Sequence, residues 1–180
     1  GLMGIEIARA FADQGADVTL VLGPSAIRPE RNNIKVLPVT SAKEMFDAAT
    51  AAFKHSDIAM LSAAVADFRP ETVANQKIKK NPDENEMILK LVKTEDILKS
   101  LGDNKKENQI LVGFALETEN GVENAKKKLH TKNLDMIVLN TMNEAGVGFK
   151  TKTNKISVIT KDDAVLDFEL KPKSEVAQDV

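Results

Sequence analysis

Five short apolar runs recur along this chain, each separated from the next by a longer segment. They are "DVTLVL" at 17–22, "IKVLPV" at 34–39, "DIAMLSAAVA" at 57–66, "QILVGFAL" at 109–116 and "DMIVLN" at 135–140. Runs of this length, with little polar alternation, read as strands covered on both faces, which is the habit of a parallel sheet. The segments between them carry helix signals. Ile5, Ile7, Ala8, Ala10 and Phe11 recur near helical spacing with Gly15 as a stop. Ser41 followed three residues later by Glu44 is a capping box for a helix to about His55. Thr94 is placed to cap a short helix to Leu101, and residues 121–132 form another helix before the last apolar run. "MILKLVK" alternates weakly, like a half-exposed strand. "KISVIT" and "AVLDFEL" flank the turn residues Lys161 to Asp163 and read as a hairpin. The pattern specifies an α/β fold, Rossmann-like, with a mostly parallel sheet, helices on both faces and a C-terminal β-hairpin.

A helix that opens on Gly1 and Gly4 normally follows a strand and a glycine-rich turn. The expectation is therefore one nucleotide-binding domain over residues 1–180 that lacks its first strand and the loop before the helix. With 42% apolar residues in 180, a chain of this size can bury a sizeable core. Its formal charge of -2 offers no global attraction for nucleic acid or anionic lipid, so anions must be bound by local clusters of Lys and Arg. The longest uncharged apolar run, Ile58 to Ala66, is far short of the roughly 20 residues that span a bilayer. No cationic leader opens the chain, and the expected location is the cytoplasm. With no Cys there is no thiol nucleophile or disulfide, and with no Tyr there is no tyrosine acid. His55 and His130, expected on helix surfaces, are too few for a multi-histidine metal site.

In an open parallel sheet, ligands lie outside the carboxyl ends of the strands. Asp67 follows such a run, and the small residues Ala63, Ala64 and Ala66 would let a flat ring or sugar approach the backbone. Asp67 reads equally as a cap on the following turn. Downstream, Lys77, Lys79 and Lys80 surround Ile78 in a long polar loop from Asp67 to Asn85. Such a loop is either a solvated charged segment or a flap that carries ammonium groups to phosphates. Lys128 and Lys132 lie one helical turn apart on a shared face, whether as phosphate contacts or as partners of the helix dipole. Phe114, in "VGFALET", is either core or a stacking surface for a base.

Together "AAVADFR", "KIKK", "VGFALET" and "KNLD", in this order and spacing, resemble bacterial phosphopantothenoylcysteine synthetase, the phosphopantothenate-cysteine ligase of coenzyme A biosynthesis. The similarity runs from Gly1 to about Leu170, and "GLMG" matches the end of the family's "SSGxMG" segment. The resemblance implies an enzyme that activates 4'-phosphopantothenate with CTP as an acyl-cytidylate, releasing pyrophosphate, and then joins it to L-cysteine with release of CMP. It implies Mg²⁺, a homodimer, no nucleic-acid or membrane partner, and a possible fusion to a flavin-dependent decarboxylase. Residue by residue, it implies nucleotide contacts from Ala63, Ala64, Asp67, Lys77, Phe114, Lys128 and Lys132, and from the helix start Glu95, Asp96, Ile97 and Leu98. Lys77 takes the catalytic role of stabilising charge on the α-phosphoryl group, and Gly1 falls on the substrate side. The family's essential Asn precedes the matched segment, and the metal ligands stay unassigned. For dimer contacts the hairpin and "MILKLVK" are the candidates, since exposed strand edges tend to be covered.

Two rival classes are left. A nicotinamide-dependent oxidoreductase fits the glycines and the αβ order, but "VTLVL" ends in Gly-Pro where an acidic ribose-binding residue is expected. A nucleotide-binding module without catalysis is the other, since a fold does not dictate a function.

Overall fold

The computed structural model describes residues 1–79, 86–117, 119–141 and 151–180. Along the chain run α1 (Leu2–Asp13), β1 (Val18–Leu22), β2 (Ile34–Pro38), α2 (Ala42–Phe53), β3 (Ile58–Leu61), β4 (Phe68–Pro70) and β5 (Leu91–Lys93). There follow α3 (Ile97–Asp103), β6 (Ile110–Glu117), α4 (Gly121–Thr131), β7 (Met136–Thr141), β8 (Thr153–Asn154), β9 (Ile156–Thr160), β10 (Val165–Asp167), β11 (Lys171–Pro172) and α5 (Lys173–Asp179).

Strands β3, β6 and β7 pair in parallel, with Ile58 opposite Ile110 and Val112 opposite Met136. The expected hairpin, β9 and β10, continues this sheet antiparallel beyond β7, giving the order β10-β9-β7-β6-β3. β1 and β2 form their own parallel pair beside α1.

Alternation along β6, β7 and β9 sends side chains to two cores. Leu111, Ala115, Ile137, Leu139 and Ile159 meet Phe53, Ile97, Leu101, Ala125 and Leu129 of α2, α3 and α4. Val112, Val138, Ile156 and Val158 meet Val176 of α5, with Met3 of α1 packed alongside. Helices therefore cover both faces, as the apolar runs require. Each large side chain buried this way contributes about 1.5–3 kcal/mol of transfer free energy.

Local signals explain several boundaries. Gly15 has φ +92, and Ala16 N–H returns to the Phe11 carbonyl at 3.1 Å, so a residue free to adopt positive φ ends α1. Ser41 caps α2 by accepting from the Glu44 N–H at 3.1 Å, while the Glu44 carboxylate accepts from the Thr40 N–H at 2.7 Å.

Four readings change. The strand expected over 57–66 is paired only from Ile58 to Leu61, although β6 itself continues to Glu117; beyond Leu61 the chain leaves the sheet. Thr94 does not cap α3. Asp96 does, accepting from the Lys99 N–H at 2.9 Å. The stretch read as one long loop from Asp67 holds β4, which pairs antiparallel with β5, so only Leu91–Lys93 of "MILKLVK" is strand. Finally α5, which packs on α1, has no counterpart among the expected elements.

Candidate functional site

After Leu61 the chain leaves the sheet and crosses the carboxyl edge of β3 and β6. Here Ala63, Ala64, Ala66 and Asp67 are exposed. Two bonds from Thr94 hold this segment: its N–H donates to the Asp67 carbonyl at 2.9 Å and its hydroxyl to the Ala66 carbonyl at 2.5 Å. The Asp67 carboxylate itself makes no hydrogen bond or ion pair among the described residues, so it caps no turn there.

Two residues beyond Thr94, the Asp96 carboxylate pairs with Lys132 Nζ at 2.8 Å. Burial alone would raise the Asp96 carboxyl, but its hydrogen bonds from Lys132 and the Lys99 N–H, with the charges of both lysines, hold it below the usual carboxylate range. One turn earlier on α4, Lys128 Nζ pairs with Glu117, the last residue of β6, at 2.5 Å. Helix α4 runs away from the carboxyl edge. Its Cα–Cβ bonds nevertheless tilt toward its N-terminus, which lets both lysines reach back to that edge. Thr94 is thus bonded to the Asp67 carbonyl, Asp96 two residues on is paired with Lys132, and Lys128 one turn earlier on α4 is paired with Glu117. The edge is open to solvent and holds small residues, two lysines that are each already paired with a carboxylate, and the Asp67 carboxylate, unpartnered among the described residues; an ammonium has three donors, so each lysine keeps capacity for a further acceptor.

The other expected residues fall in different places. Lys77 and Lys79 are exposed and make no ion pair or hydrogen bond among the described residues. Lys80, Asn81, Pro82 and the rest of that loop to Asn85 lie outside the described residues, as does Thr118 of "VGFALET". Ile97 and Leu98 put their side chains into the core, and Glu95 is exposed. Phe114 points to the face of the sheet opposite the lysines, half-buried beside Met3, Met60 and Ala177. Gly1 is the N-cap of α1, and a Cβ at Gly4 would stand 2.8 Å from Ser62 Oγ, which places the start of α1 at the carboxyl end of β3. Near it lies Lys173, only 5% exposed, whose ammonium donates to the Thr151 carbonyl at 2.9 Å and is pushed below the usual lysine range by burial.

Two residues escape a reading of the sequence. Glu117 hides inside "VGFALET", where the aromatic draws the eye. Its signal is a carboxylate at the end of an apolar run, eleven residues before a lysine. Thr94 looks like a helix cap and instead ties β5 to the β3 segment. Two clefts, of about 370 and 300 Å³, lie against α1 and α5 and against α2 and α3, away from the carboxyl edge. Cations line the clefts too, Arg9 and Arg31 in one and Lys54 and Lys106 in the other, but the exposed small residues expected to admit a ligand lie at the edge, which is the candidate site. No group of three or more His, Cys, Asp or Glu among the described residues is placed to hold a metal ion. No helix among them is long and apolar enough to cross a membrane.

Over its whole length, residues 1–180, the chain matches the model of the DNA/pantothenate metabolism flavoprotein C-terminal domain. It belongs to that family. A protein from an unknown prokaryotic organism, named cysteine/cysteine sulfinic acid decarboxylase, is 52% identical over 180 residues, covering 100% of this chain and 50% of that one. The coenzyme A biosynthesis bifunctional protein CoaBC of Bacillus subtilis (strain 168) is 41% identical over 180 residues, covering 100% of this chain and 44% of its own length. The chain thus spans about half the length of the curated relatives it matches. Among solved structures of the family, the C-terminal domain of a CoaBC protein superposes with a TM-score of 0.81 at 36% identity, covering 99% of this chain and 78% of that one. A Cab2 mutant in complex with phosphopantothenate-cysteine shares the fold, with a TM-score of 0.73 at 16% identity over 98% of this chain and 74% of that one.

Proposed function

We propose that the chain is the ligase half of a coenzyme A biosynthesis protein and joins 4'-phosphopantothenate to L-cysteine at the expense of CTP. The observation that carries this reading is the match of the whole chain, residues 1–180, to the DNA/pantothenate metabolism flavoprotein C-terminal domain; Lys128 and Lys132, one turn apart and each held by a carboxylate, support it. The relatives named CoaBC and the fold neighbour complexed with phosphopantothenate-cysteine support it.

In the first step a carboxylate oxygen of 4'-phosphopantothenate attacks the α-phosphorus of CTP, and pyrophosphate leaves. In the second the cysteine amine attacks the acyl carbon, loses a proton, and CMP leaves. The first step drives one anion onto another, so its barrier is dominated by charge. Lys128 and Lys132 bind phosphate oxygens, and Lys77 swings in on its loop to stabilise charge on the α-phosphoryl group. The exposed backbone around Ala63 and Ala64 receives the nucleoside, with the Asp67 carboxylate accepting from its amine or hydroxyl groups. Neither step asks for a protein nucleophile, which suits a chain without cysteine. Mg²⁺ keeps several water ligands and is commonly held through substrate phosphates with one or two carboxylates. That habit fits an edge with no dedicated cage, and the ion would supply charge neutralisation on the triphosphate.

The same reading includes a homodimer in the cytoplasm and fusion to a flavin-dependent decarboxylase. The ribbon β4–β5 supports the dimer: Phe68 and Leu91 are 52% and 51% exposed.

The deciding experiment is release of pyrophosphate from CTP on addition of 4'-phosphopantothenate, followed by CMP on addition of cysteine, in the full polypeptide. Nucleotide binding without release would favour a non-catalytic module. Replacing Lys77 by Gln should lower turnover at least tenfold with the fold intact, and unchanged turnover would remove it from the chemistry. The 52% identity with a protein named as a decarboxylase of cysteine or cysteine sulfinic acid favours a second reading, a partner half of such an enzyme. Release of CO₂ from free cysteine in the absence of CTP would select it.

A further inference from the structure

Glu117 has an environment that its place in the strand does not require. It closes β6 with a side chain only 15% exposed, and its two oxygens have separate partners. Oε1 accepts from Lys128 Nζ at 2.5 Å, and Oε2 accepts from Asn124 Nδ2 at 3.2 Å. Asn124 also donates to the Glu119 carbonyl at 3.3 Å, so the amide bracing Glu117 is tied to the loop that enters α4. A cheaper partner is close by. The Cβ position of Gly121, first residue of α4, is 3.4 Å from Glu117 Cβ, and no side chain caps that helix. A carboxylate there would ordinarily take the free N–H groups of the first turn. Glu117 instead meets a lysine two turns on.

Lys128 is the more exposed partner, with 43% of its side chain open. An ammonium has three donors, and the bond to Glu117 engages one, leaving two for an outside acceptor. An unbraced lysine is free to sample many rotamers, and part of that freedom must be given up when a ligand binds. From α3, Asp96 braces the neighbouring Lys132 in the same way at 2.8 Å. The two ammonium groups are therefore held by two carboxylates from different elements before any ligand arrives.

We infer that Glu117 is a positioning residue: it fixes Lys128 Nζ at the carboxyl end of β6, ready for a phosphate of the nucleotide. This rests on the reading that Lys128 meets CTP. The contrary effect is that a carboxylate beside the site repels phosphate and merely cancels the lysine's charge. The two effects predict opposite signs, and a pair of variants separates them. Glu117→Ala removes both brace and charge. Glu117→Gln keeps an oxygen able to accept from Lys128 and removes the charge.

The measurement is the dissociation constant for CTP by titration calorimetry on the full polypeptide, alongside kcat for ligation and the melting temperature. Positioning predicts that Glu117→Ala weakens CTP binding about five- to tenfold with kcat within twofold, and that Glu117→Gln restores most of the affinity. Tighter binding in both variants, or unchanged binding in Glu117→Ala, overturns the inference. So does weakening in Glu117→Ala that Glu117→Gln fails to restore, or weakening that merely tracks a lower melting temperature. Lys128→Ala keeps the two readings apart. If it weakens CTP binding while Glu117→Ala does not, the inference alone fails; if it leaves CTP binding unchanged, the assignment of Lys128 to the nucleotide fails and takes the inference with it.

Discussion

Replacing Gly102 by Ala tests how α3 and α4 meet. Gly102 is buried in the last turn of α3, and a Cβ there would stand 1.9 Å from the Lys132 carbonyl oxygen and 2.9 Å from its carbon. Both are backbone atoms, so no rotamer change relieves the clash; one chain end must move. Overpacking of this kind costs about 1–3 kcal/mol. Movement also strains the bond from Asn133 Nδ2 to the Gly102 carbonyl, 2.9 Å long, worth about 0.5–1.5 kcal/mol. Against these stands a gain of about 1 kcal/mol from the better helix propensity of Ala. With rigid backbone on the far side, the upper half of the overpacking range applies, and the net loss is about 1.5–3.5 kcal/mol. In a domain of this size each kcal/mol lowers the melting temperature by about 2–4 °C, so the variant should melt about 3–14 °C lower. The chain has neither Trp nor Tyr, so circular dichroism at 222 nm or calorimetry is the suitable readout. A Gly102→Ala protein that melts with or above the parent would refute the close approach of α3 to the end of α4.

The depressed carboxyl of Asp96 contributes stability that is complete above the ordinary carboxylate pKa and lost as pH falls through its lower folded value. Acid unfolding followed from pH 5 downward should therefore be less steep in Asp96→Asn, and identical profiles would show that the pair with Lys132 contributes nothing. On the β4–β5 ribbon, Phe68, Pro70 and Leu91 share one face by register. The proposed dimer predicts sedimentation of the parent as a dimer and of Leu91→Lys as a monomer; a parent that sediments as a monomer would refute the dimer, and a variant that stays dimeric would place the subunit contact elsewhere.

The α/β class was legible because β6 and β7 must be apolar on both faces, and continuous apolar runs advertise that directly. Ser41 and Glu44 could be read because capping is a local event. Thr94 misled for the complementary reason: Thr94 and Asp96 are both acceptable caps, and what decides is the tertiary bond from the Thr94 hydroxyl to Ala66, which no short window contains. β4 is three residues long and contains a proline, too little for any period to register. At the site, Lys128 and Lys132 were visible through their helical spacing, but their partners Glu117 and Asp96 come from other elements and gain meaning only once the chain is folded. Phe114 was recognisable as core or stacking surface, and strand parity sends it away from the lysines.

Helix α3 is fastened at both ends to the same short stretch of chain, by Asn133 to the Gly102 carbonyl at one end and by Lys132 to Asp96 at the other. Because the two rivets belong to adjacent residues just past α4, they act as one clasp along α3. Whatever draws Lys132 outward also pulls on the residue that grips the far end of that helix.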